Sequence, residues 1–174
     1  LGEYSHYMQK EIHEQPQALA NTLESVCNSQ SLVPGIFGAE AAATFAGIDS
    51  ILILACGTSY HAGLVARFWL EEIAGIRCNV EVASEYRYRK PIVGDKALVI
   101  AVSQSGETAD TLAALREGKG QGARTLSVCN VREATIARAC DDVLYTHAGP
   151  EIGVASTKAF TTQVVALYLI ALKL

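Results

Sequence analysis

Five short strand-like segments, each followed by a turn and then by a helix-like segment, constrain the fold of this chain most strongly. Most of them are rich in Val, Ile and Leu and are bounded by turn formers, as expected of strands buried in a sheet. Alternating strands and helices with short links predict a parallel sheet with helices on both faces, a three-layer α/β domain. The predicted strands are residues 50–55, 77–82, 97–102, 124–129 and 142–145.

Residues 1–46 precede this domain and are predicted to be a helical segment that packs on it, while the domain itself is expected to occupy residues 47–174. Tyr4, Met8 and Ile12 recur at helical spacing and predict one apolar stripe. The helices that belong to the sheet are predicted at residues 60–74, 84–89 (a helix or a turn), 107–119, 134–139 and 158–174.

A second N-terminal helix is expected from about residue 17 to residue 27, because Pro16 suits the start of a helix. Leu19 and Leu23 are predicted to face the core. Residues 28–38 are rich in turn formers and predict a connection, and residues 39–46 predict a short, weaker helix.

Composition excludes several classes of protein. Of 174 residues, 50% are hydrophobic and 18% are charged, which is a globular composition, and the net charge of -4 leaves no basic footprint for nucleic acid. No apolar run is long enough to span a bilayer, and the polar N-terminus is not a signal peptide. The chain begins without Met and ends on an apolar helical run, so we expect a piece of a longer protein.

The cysteines favour a reducing cytosol. Their number is odd, and they form neither a CxxC pair nor Cys/His spacing typical of zinc, so no metal site is expected. Cys56 lies at a strand end where its pKa could fall, but a small buried side chain is the more economical interpretation. The five are Cys27, Cys56, Cys78, Cys129 and Cys140.

Residues 103–108, Ser-Gln-Ser-Gly-Glu-Thr, are the first candidate for chemistry. They join the carboxyl end of a predicted strand to a helix N-terminus, where open α/β sheets bind ligands and where unpaired N–H groups favour an anion. The hydroxyls of Ser103, Ser105 and Thr108 lie close together, and Gly106 leaves room for a tight turn or a ligand. We interpret the segment as a phosphate site, the alternative being that Ser105 and Thr108 only cap the helix.

Two further segments resemble this turn. Residues 56–59 follow a buried strand and place Thr58 and Ser59 at a helix start, so both turns would open on one crevice if the first and third strands are neighbours. Residues 151–158 form a polar loop before the last helix, with Ser156 or Thr157 as its cap. In each case the alternative is a plain helix cap.

The chain shows no nucleotide-binding motif and no convincing catalytic set. Neither G-x-G-x-x-G nor G-x-x-x-x-G-K-[ST] is present, so the turns suit a small phosphate monoester rather than ATP or NAD, and no cofactor is expected. Glu107 and Glu151 are the only carboxylates in these loops, and Glu107 at a helix start favours a capping role over that of a base. The basic, aromatic residues 85–90 are a solvated helix or an interface patch.

Five motifs together resemble the sugar isomerase (SIS) domain family. Taken in order, they are more specifically similar to the first SIS half of the isomerase domain of the glucosamine-6-phosphate synthase family. The motifs are HYMQKEI at residues 6–12 followed by EQP at 14–16, LACGTSY at 54–60, ASEYRYR at 83–89, SQSGETADTL at 103–112 and EIGVASTKAFTTQ at 151–163.

This resemblance implies a flavodoxin-like sheet of five parallel strands and a set of binding residues for fructose 6-phosphate or glucosamine 6-phosphate. The residues implied to hold the phosphate are Ser59, Ser103, the backbone of Gln104, Ser105 and Thr108. Those implied to line the sugar are Thr58, Val154 and Ser156.

Members of that family make glucosamine 6-phosphate from fructose 6-phosphate and glutamine, in hexosamine biosynthesis. The resemblance implies a cytoplasmic homodimer whose glutaminase domain and second SIS half lie outside this chain. The catalytic base belongs to the second half, so the fragment would bind the sugar phosphate without turning it over. The alternatives are a regulatory SIS module that senses a sugar phosphate and a stand-alone SIS isomerase.

Overall fold

The computed structural model describes residues 1–27, 31–32, 37, 43, 45–89 and 91–174. Two helices precede the sheet, α1 (Tyr7–His13) and α2 (Gln15–Val26). The strands are β1 (Ser50–Ala55), β2 (Arg77–Val82), β3 (Ala97–Ser103), β4 (Arg124–Cys129) and β5 (Asp142–Tyr145). The remaining helices are α3 (Gly57–Glu72), α4 (Ala83–Tyr86), α5 (Ala109–Gly120), α6 (Thr135–Ala139) and α7 (Lys158–Lys173).

The five strands form one parallel sheet in the order β2-β1-β3-β4-β5. Successive residues of a strand point to opposite faces, so Ile53 packs in a core with α3 and α7, and Leu54 packs in a second core with α4 and α5. Every residue of β3 is buried, as a central strand covered on both faces requires. The predicted three-layer α/β fold and its flavodoxin-like sheet are confirmed.

Strand bounds agree with the prediction, except that β3 extends by one residue to include Ser103. Helix α3 differs more, because it begins at Gly57 rather than at residue 60. Thr58 and Ser59 therefore lie in the first helical turn and not in a loop before it. Gly57 has a φ of +59°, a conformation that other residues adopt at a cost, and this geometry turns the chain directly from β1 into the helix.

The N-terminal helices bury different residues from those predicted. Tyr4 lies outside α1, and Met8 and Ile12 are exposed, whereas the buried residue of α1 is Glu11. The predicted apolar stripe is therefore not the buried surface of this helix. Its buried carboxylate instead contacts backbone near the carboxyl edge of the sheet, described below.

Helix α2 packs on α7 through Ala18, Thr22 and Val26. Ala18 and Thr22 each come one residue before a predicted core position, Leu19 or Leu23, and so lie on a different side of the helix. Leu23 is 41% exposed, so its predicted core position is wrong, and Leu19 is only partly buried. Small residues on the packed face let the two helices approach, and the Thr22 hydroxyl donates to the backbone carbonyls of Ala18 and Thr146. The predicted connection and helix within residues 28–46 lie largely outside the described residues, and the boundary at residue 46 stays a prediction.

Candidate functional site

A cleft of about 430 Å³ opens at the carboxyl ends of β1 and β3. Its walls are the first turn of α3, the β3–α5 turn and the loop of residues 149–157 before α7, here called the site loop. The prediction that both hydroxyl-rich turns open on one crevice is met because β1 and β3 are hydrogen-bonded neighbours. All eight predicted site residues line this cleft: Thr58, Ser59, Ser103, Gln104, Ser105, Thr108, Val154 and Ser156.

Ser103 organises the β3–α5 turn. Its hydroxyl accepts a hydrogen bond from the Gly106 N–H at 3.0 Å and lies 3.1 Å from the Thr108 hydroxyl. The side chain is 3% exposed, so these bonds form away from bulk water. Ser105 lies beside them, and its hydroxyl accepts from the Glu107 N–H at 3.2 Å. The turn thus groups three hydroxyls before any ligand arrives.

Gly106 is required by the geometry of this turn. Its φ is +68°, and a Cβ atom there would lie 2.4 Å from the Cβ of Ala134 and 2.7 Å from the Sγ of Cys129. Any side chain would therefore push the turn away from α6. The sequence prediction that this glycine allows a tight turn has a definite steric cause.

Helix capping does not account for most of the cleft hydroxyls. In the described part of the chain, no side chain forms a capping hydrogen bond at Cys56 or Thr108, the N-caps of α3 and α5. Thr58 and Ser59 lie inside the first turn of α3. Ser103 and Ser105 do accept local backbone bonds, but these come from the N–H groups of Gly106 and Glu107, which precede α5. The N-termini of α3 and α5 therefore present backbone donors and positive dipole ends at the cleft.

The cleft is lined by neutral groups. Among the described residues, its lining contains hydroxyls, a thiol, an amide and apolar side chains, but no side chain with a formal charge. Hydroxyl and backbone donors at two helix N-termini favour an anion, and their small number suits one phosphate group. Such a lining can bind and orient a ligand, but it holds no carboxylate or imidazole to move a proton.

The two carboxylates of the candidate loops serve as helix caps outside this lining. Glu107 accepts from the Thr135 N–H at 2.7 Å, at the N-terminus of α6 and not of its own helix. That backbone hydrogen bond lowers the pKa of Glu107. Glu151 accepts from the N–H groups of Thr157 at 2.7 Å and Ala159 at 3.4 Å, so it caps α7. Thr157 is the N-cap residue of α7, as predicted, although its side chain makes no capping hydrogen bond, and Ser156 lines the cleft.

Contacts from outside the site loop fix its course. At its start, the side-chain amide of Asn130 donates to the Gly149 carbonyl at 2.8 Å. In its middle, the carboxylate of Glu11 accepts from the N–H of Ile152 at 2.6 Å and from that of Gly153. Just after its end, the buried ammonium of Lys158 pairs with Glu14 at 2.6 Å.

Sequence reasoning missed Glu11 and Glu14 as parts of the site. They lie three residues apart, a spacing that places both on one side of a helical segment, and this was the available signal. Their partners are more than 140 residues away, at separations of 141 for Glu11 and 144 for Glu14. The hydrogen bond from Lys158 lowers the pKa of Glu14, which is the expected effect of an ammonium on a carboxylate.

Other kinds of site find no support in the described residues. They contain no group of three or more His, Cys, Asp or Glu side chains placed to hold a metal ion. Within the same residues, no helix has the length and apolar character needed to cross a membrane. All five cysteines are free thiols, and Cys56 lines the cleft beside Thr111.

The sheet order and the cleft at its carboxyl edge define a three-layer α/β domain with a candidate ligand site at that edge. A family model described as the SIS domain matches residues 44–173, and this chain belongs to the SIS domain family. Within this family, the chain is much more similar in sequence to one group of proteins.

The chain is 58% identical over 175 residues to the glutamine–fructose-6-phosphate aminotransferase (isomerizing) of Xylella fastidiosa, and 57% identical over 174 residues to that of Pseudomonas syringae. These alignments cover 100% and 99% of this chain but 29% and 28% of the relatives. This chain therefore spans less than a third of their length. The resemblance to this enzyme family is confirmed.

A solved structure gives the same result. The C-terminal domain of glucosamine-fructose-6-phosphate aminotransferase from Francisella tularensis superimposes with a TM-score of 0.93 at 47% identity. The alignment covers 97% of this chain and 48% of that one. This chain thus corresponds to about half of that domain.

Proposed function

We propose that this chain is the sugar-phosphate-binding half of the isomerase domain of a glutamine:fructose-6-phosphate aminotransferase. The observation that carries the proposal is the neutral cleft, in which the eight predicted residues meet at two helix N-termini. The ligand is fructose 6-phosphate or its product glucosamine 6-phosphate. The names of the closely similar relatives support this choice of sugar.

The phosphate group binds at the β3–α5 turn. The hydroxyls of Ser59, Ser103, Ser105 and Thr108, together with the Gln104 backbone, supply its donors. Neutral donors at helix N-termini hold a dianion without an added cation, since the helix dipoles compensate part of its charge. Such a site distinguishes a phosphate ester from an unphosphorylated sugar.

The sugar lies on the other side of the cleft, against Thr58, Val154 and Ser156. Val154 is 101% exposed in the chain alone, so a bound sugar would cover apolar surface there. The Thr58 and Ser156 hydroxyls are suited to sugar hydroxyls. This side sets the preference for a hexose over bare phosphate.

Catalysis requires groups from outside this chain. Isomerisation moves a proton between adjacent carbons and needs a positioned base, and the described cleft lining offers none. We infer that the base lies in a second SIS half, that ammonia comes from a glutaminase domain, and that the complete enzyme is a cytoplasmic homodimer in hexosamine biosynthesis. The share of the relatives that this chain leaves uncovered is large enough for both domains.

Isothermal titration calorimetry of the 174-residue chain tests the proposal. Fructose 6-phosphate and glucosamine 6-phosphate are expected to bind, inorganic phosphate to bind more weakly, and fructose not to bind. Thr108→Ala should weaken sugar-phosphate binding about tenfold, because a hydrogen bond to a charged group is lost. Ser50→Ala, a matched change at the opposite end of β1, should have no effect. Equal affinity for fructose and its phosphate would overturn the proposal.

A further inference from the structure

The anchoring of the site loop from α1 suggests a role for a residue that lies outside the cleft. Glu11 is 2% exposed, and it is the buried residue of a helix whose other residues are exposed or partly exposed. Burying a carboxylate is costly unless it is hydrogen-bonded. Its bonds, at 2.6 Å to the Ile152 N–H and 3.1 to 3.2 Å to the Gly153 N–H, go to the site loop.

These bonds lie next to the sugar side of the cleft. Ile152 and Gly153 immediately precede Val154, and Ser156 follows two residues later. The Glu151 carboxylate ties the start of this segment to Thr157, so residues 151–157 form a closed loop. Glu11 is the group that attaches this closed loop to the N-terminal helix. Charge-assisted hydrogen bonds of this kind are directional and fix the position of the backbone they hold.

The Glu11 carboxylate lies close against Gly153 and leaves no room for a side chain there. A Cβ atom on Gly153 would lie 2.6 Å from the Oε2 atom of Glu11. Alanine at this position would therefore displace the carboxylate while leaving its charge in place. Gly153→Ala thus removes the contact but keeps the charge, whereas Glu11→Gln removes the charge.

We propose that Glu11 is a positioning residue, which holds Val154 and Ser156 against the sugar and thereby sets the preference for a sugar phosphate over inorganic phosphate. The inference rests on the proposed function of the cleft. The phosphate side is built by the β3–α5 turn through Ser103, whose bonds do not involve α1. Loss of Glu11 should therefore weaken the binding of the sugar more than the binding of the phosphate group.

The experiment compares wild type, Glu11→Gln, Gly153→Ala and the control Glu3→Gln, which makes the same chemical change at an exposed residue. Fructose 6-phosphate and inorganic phosphate are titrated into each, and hydrogen–deuterium exchange of the site loop is measured without ligand. Glu11→Gln and Gly153→Ala should weaken fructose 6-phosphate about tenfold, the scale of one charge-assisted hydrogen bond, and inorganic phosphate less than about twofold. Exchange at the Ile152 and Gly153 amides should accelerate in both.

Two outcomes overturn the inference. One is a folded Glu11→Gln variant with unchanged affinity for fructose 6-phosphate, and the other is an equal loss for both ligands, which a merely structural role would give. A wild type that binds neither ligand overturns the proposed function instead. Hydrogen exchange then decides separately whether Glu11 holds the loop, and unchanged exchange at Ile152 and Gly153 in Glu11→Gln shows that it does not.

Discussion

The serine hydroxyls of the β3–α5 turn differ in what they do before a ligand binds. Ser103 is buried and bonds the Gly106 N–H and the Thr108 hydroxyl, whereas Ser105 is only partly buried and bonds one exposed N–H. A buried donor that loses its acceptor keeps its full desolvation penalty. The two serines therefore contribute differently to stability, although both face the cleft.

Ser103→Ala should lower the free energy of unfolding by about 1–3 kcal/mol, because the buried Gly106 N–H loses its acceptor. Ser105→Ala should change it by less than about 0.5 kcal/mol, the usual scale for a partly exposed position. Urea denaturation followed by circular dichroism measures both. Equal destabilisation by the two variants would show that Ser103 does not organise the turn.

Glycine substitutions test the steric argument at the same turn. Gly106→Ala should destabilise the chain by about 1–3 kcal/mol or more, since a Cβ there meets Ala134 and its φ is +68°. Gly120→Ala is the matched control, because nothing lies within 4 Å of its Cβ position and it is in helix α5. The control should be neutral or stabilising by up to about 1 kcal/mol. Thermal unfolding of both variants gives the comparison.

At the scale of the elements, strand positions could be predicted and helix faces could not. Each strand is a short segment between turn formers, a pattern that local sequence carries. The start of α3 was missed because Thr58 and Ser59 are typical of caps, but the positive φ of Gly57 brings them into the helix. The face of α2 was missed because small residues, and not leucines, meet α7.

Alanine substitutions in α2 test which face is packed. Val26→Ala should cost about 1.5–3 kcal/mol of unfolding free energy, because Val26 is in the main core cluster. Leu23→Ala should cost less than about 1 kcal/mol, since this larger residue is 41% exposed and lies outside the core. Chemical denaturation of the two variants measures the difference. A greater cost for Leu23→Ala would support the face predicted from sequence.

The ion pair at the start of α7 makes stability depend on pH. Glu14 faces Lys158 and, more loosely, Lys10, and its pKa is lowered from the ordinary value of 4.5 chiefly by the hydrogen bond from Lys158. A carboxyl whose pKa is lower in the folded chain favours folding while it is ionised. Its contribution is complete above 4.5 and is lost as the pH falls through the lower folded value.

Denaturation of wild type and Glu14→Gln, carried out from neutral pH to below 4.5, measures how much the ionised Glu14 contributes to stability. The variant should be less stable at neutral pH, because Lys158 is 4% exposed and loses its carboxylate partner. The difference should shrink as the pH falls below 4.5, where the wild-type carboxyl becomes protonated. A difference that does not vary with pH would mean that the ion pair adds nothing to stability.

For the whole molecule, topology decides which parts of the site could be predicted. Carboxyl ends of neighbouring parallel strands meet at one edge, so the pairing of β1 with β3 brings Thr58 and Ser59 to Ser103 and Ser105. Alternation of strands and helices predicts this arrangement. The spacing of Glu11 and Glu14 does not show which edge of the sheet α1 reaches, because the contact of Glu11 with Ile152 depends on how the first helices pack.

The central claim is that the cleft between α3, the β3–α5 turn and the site loop holds a sugar phosphate. Chemical-shift mapping of backbone amides in a titration with glucosamine 6-phosphate tests it most directly. The largest shifts are expected at residues 57–59, 104–108 and 154–156. A neighbouring hollow of about 470 Å³ carries Arg132 and His147 and is the natural competing site for an anion. Shifts confined to residues around Arg132 and His147 would contradict the account.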